Sequence, residues 1–308
     1  MPKVSVIIPT YNREGFIVEA LESILAQTFY DFEIIIVDDG STDHTGKIVQ
    51  DFIDRYPETI SYIYQSNRGA PATRNTGIRT SRGEFIAFLD SDDVWFPRKL
   101  EKCMRFLEDS GYGWVTTAAI RQDGSKREEL RVSSDFLEDN GQKLALLKNG
   151  LYFFSSVLII PSGVMIHKEC FNKTGMFDES LKVGEDTDMW LRFAEAGIQA
   201  GYINEALFTY RVHSGTMTKI KASSSLEDHI LIASKHAQIL GMHRQLIRRT
   251  YAEFLWRCSD LFFEYGCYWR SIRCYLKSLW IYPTLGKLGN TFKILGLRMM
   301  QNFVNVIK

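Results

Sequence analysis

Several familiar signatures are missing from this 308-residue chain, and each absence narrows its chemistry. The five cysteines, an odd number, include no CxxC pair and no Cys/His metal spacing. That points to reduced thiols in a cytoplasmic setting rather than a disulfide framework. No GxGxxG follows the first strand-like run and no GxxxxGK[ST] occurs anywhere, which weakens dehydrogenase and ATPase readings, since the usual dinucleotide and Walker phosphate cradles are absent. No apolar run reaches the about 20 residues needed to span a bilayer. Met1-Pro2-Lys3 leads straight into a strand-like run, so no signal peptide is expected. The protein should be soluble or peripheral on the inner membrane face.

Composition is globular, at 45% hydrophobic and 24% charged residues. Formal net charge is zero, but it is unevenly spread. From Lys219 onward 14 Lys and Arg face 5 Asp and Glu, a surplus of +9 that leaves −9 on residues 1–218.

Apolar runs followed by helical spacing recur along the first hundred residues. Val4–Ile8 closes on Pro9, and Phe16, Ile17, Ala20, Leu21, Ile24 and Leu25 then fall at helical intervals. Phe32–Val37 ends in Asp38-Asp39-Gly40-Ser41, with a helix marked by Ile48, Val49, Phe52 and Ile53. Ile60–Tyr64 reads as a third strand, Ala72–Thr80 as a short helix and Phe85–Leu89 as a fourth strand. Such alternation predicts an α/β fold with a mostly parallel, Rossmann-like sheet. Further on, Trp114–Ile120 reads as a strand, Arg121–Glu138 as a hairpin or mobile loop, Gln142–Lys148 as a short helix, Ser162–Ile166 as a strand and Ala200–Arg211 as strands.

The chain's most charged sheet edge follows the fourth strand, where Asp90-Ser91-Asp92-Asp93 puts three carboxylates within four positions. Asp90 and Asp92 can share a hard cation such as Mg²⁺ or Mn²⁺, or the run can be a solvated turn capping the next helix. Three polar loops, Pro9-Thr10-Tyr11-Asn12-Arg13, Asp38–Ser41 and Asp90–Asp93, then lie on the edge where open sheets bind ligands. A nucleotide there would meet Tyr11, Asp39 and Asp92, with guanidinium donors in the Asn67–Asn75 stretch. Taken singly, Tyr11 can be packing, Asp39 a helix cap and Arg74 a solvated charge. Gly184-Glu185-Asp186 opens a further helix, where acidic residues either complement the helix dipole or do chemistry.

In these five motifs, read together with Trp190-Leu191-Arg192, the chain from Val4 to about Thr218 resembles the family 2 glycosyltransferases. The resemblance implies a GT-A fold, a nucleotide-sugar donor and inversion. It implies nucleotide contacts from Pro9, Thr10, Tyr11, Asp39, Asn67, Arg74, Asp90 and Ser91, with Asp39 facing the base. The DxD motif would be Asp90 and Asp92, with Asp92 on the metal, Mn²⁺ or Mg²⁺, and His213 of Tyr210-Arg211-Val212-His213 completing the metal or diphosphate contacts or serving as a core or loop residue. Asp186 matches the catalytic base, and Glu185 orients acceptor hydroxyls or supports Asp186. The expected donor is a UDP-sugar, from the places of Asp39 and Arg74. The acceptor would be a glycan, a glycolipid or a protein-linked sugar in polysaccharide or glycoconjugate biosynthesis.

The expected domains are a catalytic GT-A domain over residues 1–218 and an all-α extension over 219–308. That extension is either packed on the catalytic domain, paired with a second copy as a homo-oligomer, or, through the basic apolar helix Thr284–Val306, laid on an anionic membrane surface. No nucleic-acid partner is expected. Two rival readings remain, a sugar-phosphate nucleotidyltransferase and a non-catalytic nucleotide or sugar-binding module.

Overall fold

The computed structural model describes residues 1–144 and 159–213 and ten positions from 228 to 276. The chain divides into two compact units, Met1–Gly241 and Met242–Lys308. Most of the helices read from Ser223 onward, and all of Thr284–Val306, lie outside the described residues. Asp228 and residues 231, 232 and 234–236 fall in the first unit, although the sequence reading groups them with the extension. Among the described residues no helix is long and apolar enough to cross a membrane.

The first unit is a mixed sheet flanked by helices, parallel over its first four strands, the α/β architecture expected. Its early part alternates regularly: β1 (Val4–Thr10), α1 (Ile17–Leu25), β2 (Phe32–Asp38), α2 (Thr45–Arg55), β3 (Ile60–Tyr64), α3 (Ala70–Thr80) and β4 (Phe85–Phe88). A short β5 (Val94–Trp95) and α4 (Lys99–Ser110) follow, then a hairpin of β6 (Trp114–Asp123) and β7 (Lys126–Leu130) where a hairpin or loop was expected. Two short strands, β8 (Leu137–Glu138) and β9 (Lys143–Leu144), precede β10 (Met165–His167), α5 (Cys170–Thr174), α6 (Glu185–Glu195) and the long β11 (Ala200–Val212). Two expectations change. Lys143 and Leu144 are not helical but pair with β11 and β8, because Leu144 buries against the sheet edge. Residues 161–163 form a 3₁₀ turn, so that strand starts at Met165.

The sheet order is β3-β2-β1-β4-β10-β6-β11-β9-β8, with β5 on β11 and β7 on β6. β1 to β4 run parallel, β10 lies antiparallel between β4 and β6, and β11 is parallel to β6. Because β1 is central, both its faces are covered, which explains its unbroken apolar run. Val4, Val6 and Ile8 pack with Leu21 and Ile24 of α1, Val49 of α2 and Leu107 of α4. Each such side chain contributes about 1.5–3 kcal/mol by leaving water.

The opposite face carries Ile7 and α3, and their approach is close. A methyl group at Gly77 would fall 2.4 Å from Ile7 Cγ2. Gly77→Ala is therefore expected to lower stability by about 1–3 kcal/mol, the range for overpacking, as read from the urea midpoint.

Register places the chemistry. Thr10 pairs with Asp38, and Ile7 with Phe88. The loops after β1, β2 and β4 thus leave the sheet side by side.

Candidate active site

The turn after β4 is built by its third carboxylate. Asp93 is 1% exposed. Its Oδ2 accepts from the Ser162 hydroxyl at 2.5 Å and its Oδ1 from the Arg211 N–H at 3.0 Å. Ser162 Oγ in turn accepts the Asp90 N–H at 3.1 Å. Burial, with Asp90 and Asp92 alongside, pushes the Asp93 carboxyl well above the usual range. Asp93 is therefore a brace joining the turn to the 161–163 segment and β11. Ser91 is buried within the same turn.

Asp90 and Asp92 face different partners. Asp90 Oδ1 receives Arg74 Nη2 at 2.8 Å, and Arg74 Nη1 reaches Glu185 Oε1 at 2.6 Å. Arg74 is 5% exposed, and burial works against its charge. The carboxylates of Asp90 and Glu185 outweigh that and hold the guanidinium above its ordinary pKa. Burial raises the Asp90 carboxyl in spite of Arg74. Glu185, for which the sequence offered an acceptor-orienting role or support of Asp186, is here the ion-pair partner of Arg74.

Asp186 sits beside that network without a cation of its own among the described residues. Its Oδ1 accepts the Thr187 N–H at 2.7 Å. Burial, then repulsion from Glu185, pushes its pKa up to about 7, against the pull of Arg74. The side chain is partly exposed. It combines access with a pKa near neutrality, which suits a general base.

Asp92 faces β11. Its Oδ2 lies 3.0 Å from His213 Nε2 and 3.4 Å from Arg13 Nε. The His213 ring stacks on Phe16 at 4.5 Å. Arg211 wraps the turn from behind: its Nε donates to the Asp92 carbonyl, its Nη1 reaches Glu19 Oε2 at 3.0 Å, and its guanidinium lies over the Phe16 ring. The Asp92–His213 contact is a direct hydrogen bond, between a carboxylate and an imidazole, groups that also ligate divalent cations. Among the described residues no cluster of three or more His, Cys, Asp and Glu could hold a metal, so remaining ligands would have to come from elsewhere, and diphosphate oxygens suit.

Just after β2, Asp39 is buried, and its carboxylate is occupied. Oδ1 accepts Gln65 Nε2 at 2.7 Å and the Arg68 N–H at 2.9 Å, and Oδ2 accepts the Gly69 N–H at 2.8 Å. It stitches the 65–69 loop to β2, where the resemblance implied contact with a base. Asp38 does similar work, accepting the Ser41 N–H and the Tyr62 hydroxyl, each at 2.7 Å. Asn12, at φ 51, donates its N–H to Ser41 Oγ and accepts the Thr42 N–H. The first two loops are thereby cross-linked, leaving Tyr11 and Asn67 exposed. Pro9 lies at the end of β1 and Thr10 is buried, its hydroxyl without a hydrogen-bond partner.

Arg13, Ser162 and Arg211 are site residues that motif reading passed over. Arg13 and Arg211 were each quoted inside a motif, but only the fold shows that both guanidinium groups converge on Asp92.

A glycosyl transferase family 2 model matches residues 5–174, more than half the chain. An uncharacterized glycosyltransferase of Rickettsia felis is 35% identical over 220 residues, which cover 70% of this chain and 34% of that protein. The chain thus spans about a third of that relative's length. Staphylococcus aureus TarS 1–349, solved with UDP-GlcNAc, superposes at a TM-score of 0.65 with 21% identity, covering 90% of this chain and 79% of that one. The mannosyltransferase PcManGT of Pyrobaculum calidifontis, solved with GDP-Man and Mn²⁺, gives 0.62 at 19% identity, covering 91% and 88%. These structures establish a shared GT-A fold. With the sheet, the aspartate turn and the family match in hand, the chain belongs to glycosyl transferase family 2.

Proposed function

We propose that this chain transfers a sugar, with inversion, from a UDP-sugar to a hydroxyl of a glycan, glycolipid or protein-linked acceptor. The observation that carries the reading is Asp186, partly exposed at the start of α6 beside the buried Arg74–Asp90–Glu185 network. An acceptor hydroxyl is far too weak an acid to ionise alone, so a positioned carboxylate must take its proton as the oxygen attacks. Asp186 takes the proton, and the leaving diphosphate departs on the opposite face. Asp92 and His213 would hold a divalent ion, which supplies charge stabilisation for the departing phosphates. Arg13, beside Asp92, adds a guanidinium suited to the same oxygens.

The family and the TarS neighbour solved with UDP-GlcNAc support a nucleotide-sugar donor. A panel of UDP-, GDP- and CMP-sugars tested with Mn²⁺ and with Mg²⁺, followed by release of nucleotide, decides the class. Release of UDP supports the reading. Pyrophosphate formed from a nucleoside triphosphate and a sugar phosphate would establish a nucleotidyltransferase instead. Tenfold tighter binding of GDP than UDP, about 1.4 kcal/mol, would overturn the choice of base.

Asp92→Asn is expected to lose most of the Mn²⁺-dependent part of UDP affinity, because a neutral amide is a poor ligand for a hard cation. Calorimetry with and without Mn²⁺ reads this directly. Wild-type affinity in the variant would remove Asp92 from the metal site.

A further inference from the structure

The helix that carries Glu185 and Asp186 on its first turn also carries a buried ionic cluster with no place in the chemistry above. Asp188 is fully buried. Its Oδ2 receives Arg192 Nε at 2.8 Å, and its Oδ1 receives Lys235 Nζ at 2.8 Å and His236 Nε2 at 3.0 Å. The other ring nitrogen of His236 lies 2.6 Å from Glu195 Oε1. Asp188 and Glu195 are two helical turns apart and share a face. Only an imidazolium donates from both nitrogens, so His236 spans them as a charged clamp. Burial opposes that charge, but the Asp188 and Glu195 carboxylates outweigh it and raise the imidazole above its ordinary value.

A second anchor lies nearby. Asp228 Oδ2 accepts the N–H groups of both Lys182 and Val183 at 2.9 Å. Lys235 also reaches Asp178 at 3.2 Å. Residues 178–183 lead directly into Gly184, whose φ of 78° starts α6. From the opposite side Arg192 donates to the carbonyls of Thr174 and Met176 at 2.8 and 2.9 Å. The entry to α6 is thus held by residues that lie beyond the family match, which ends at 174.

We propose that His236 and Asp228 are positioning residues for the transfer reaction: together they fasten the loop before α6 and the back of the helix, and so fix Glu185 against Arg74 and Asp186 toward the acceptor. This rests on the transferase reading. Asp228, Lys235 and His236, which the sequence reading groups with the extension, then belong to the active-site framework.

The full-length chain tests it through His236→Gln, whose amide cannot donate on both sides, and through Asp228→Ala beside Asp228→Asn, which keeps an acceptor. In His236→Gln and Asp228→Ala, hydrogen exchange should quicken at the amides of Lys182, Val183 and Asp188. Turnover should fall about 10- to 100-fold, the cost of roughly 1 Å of misplacement, with Mn²⁺-dependent UDP affinity within about twofold. Asp228→Asn should recover most of the loss. The pH profile adds a readout specific to His236. Facing it are Asp188, Glu195, Lys235 and Arg192, with Asp178 behind Lys235. A raised imidazole contributes fully below the unfolded value near 6.5 and is lost as pH rises through the folded one. Wild-type thermal stability should therefore decline on that alkaline side more steeply than that of His236→Gln, which keeps only the part due to Asp186. Unchanged exchange overturns the proposal, as does faster exchange with unaltered turnover. If the wild type turns over no nucleotide-sugar, the transferase reading fails, while the exchange pattern still decides whether the brace exists.

Discussion

Asp186→Asn is expected to slow glycosyl transfer by about 10²- to 10⁴-fold, the usual contribution of a positioned base, while Mn²⁺-dependent UDP affinity stays within about twofold. Binding and chemistry separate because the amide is nearly isosteric but cannot accept the acceptor's proton. In the wild type, the rate should climb with pH through about 7 as the carboxylate ionises, then level off. The acidic limb belongs to this group and should vanish from the variant's residual activity.

Stability moves the other way. A carboxyl whose folded pKa is raised binds its proton more tightly in the native state, so its contribution is present at low pH and lost as pH rises from about 4 through about 7. At pH 8 the wild type holds an unpaired charge at Asp186 that the variant lacks, and the variant should melt higher. Partial exposure lets water offset some of that cost. Near-normal transfer by Asp186→Asn, with Glu185→Gln inactive, would assign the base to Glu185.

Arg74→Gln should have the largest effect on folding. Removing one partner of a buried ion pair typically costs about 3–5 kcal/mol, because the partner charges stay behind uncompensated. Here Asp90 and Glu185 both lose their cation, and Asp186 loses the one nearby positive charge that lowers its pKa, keeping only the Thr187 N–H. The deficit should shrink at pH 5, where raised carboxyls take up protons, so urea titrations at pH 8 and pH 5 should diverge for the variant more than for the wild type. Adding Glu185→Gln should restore part of the loss, a coupling visible in a double-mutant cycle. Strict additivity of the two substitutions would show that the pair is not energetically linked.

Much of this was readable from residue order alone. Apolar runs at Val4–Ile8 and Phe32–Val37 announce doubly covered strands, since only burial on both faces favours unbroken hydrophobicity. The aspartate turn and Glu185-Asp186 stand out because charge so close to such runs must sit at an edge. What stayed hidden depends on side chains meeting across long sequence separations. Nothing local tells that Asp93 points inward to Ser162 while Asp92 points to His213, or that Asp39 spends its oxygens on the Arg68 and Gly69 amides. The Lys143–Leu144 strand was missed because a two-residue element has no period to detect, and its conformation is set by the β11 edge it joins. Likewise Asp228 and His236 carry no motif; their partners are known only from packing.

The order of strands in the sheet has a bearing on how the protein is made. Synthesis runs from the N-terminus, and β1 to β4 pair as they emerge. β6 gains β7 at once, but its other partners come later: β10 some forty residues on, and β11 complete only at residue 212. Until then a half-finished sheet presents unpaired strand edges, the condition that invites association with other chains. The last strand to arrive leads into His213 and passes Arg211 behind the aspartate turn. Closure of the sheet and the meeting of His213 with Asp92 are therefore one event.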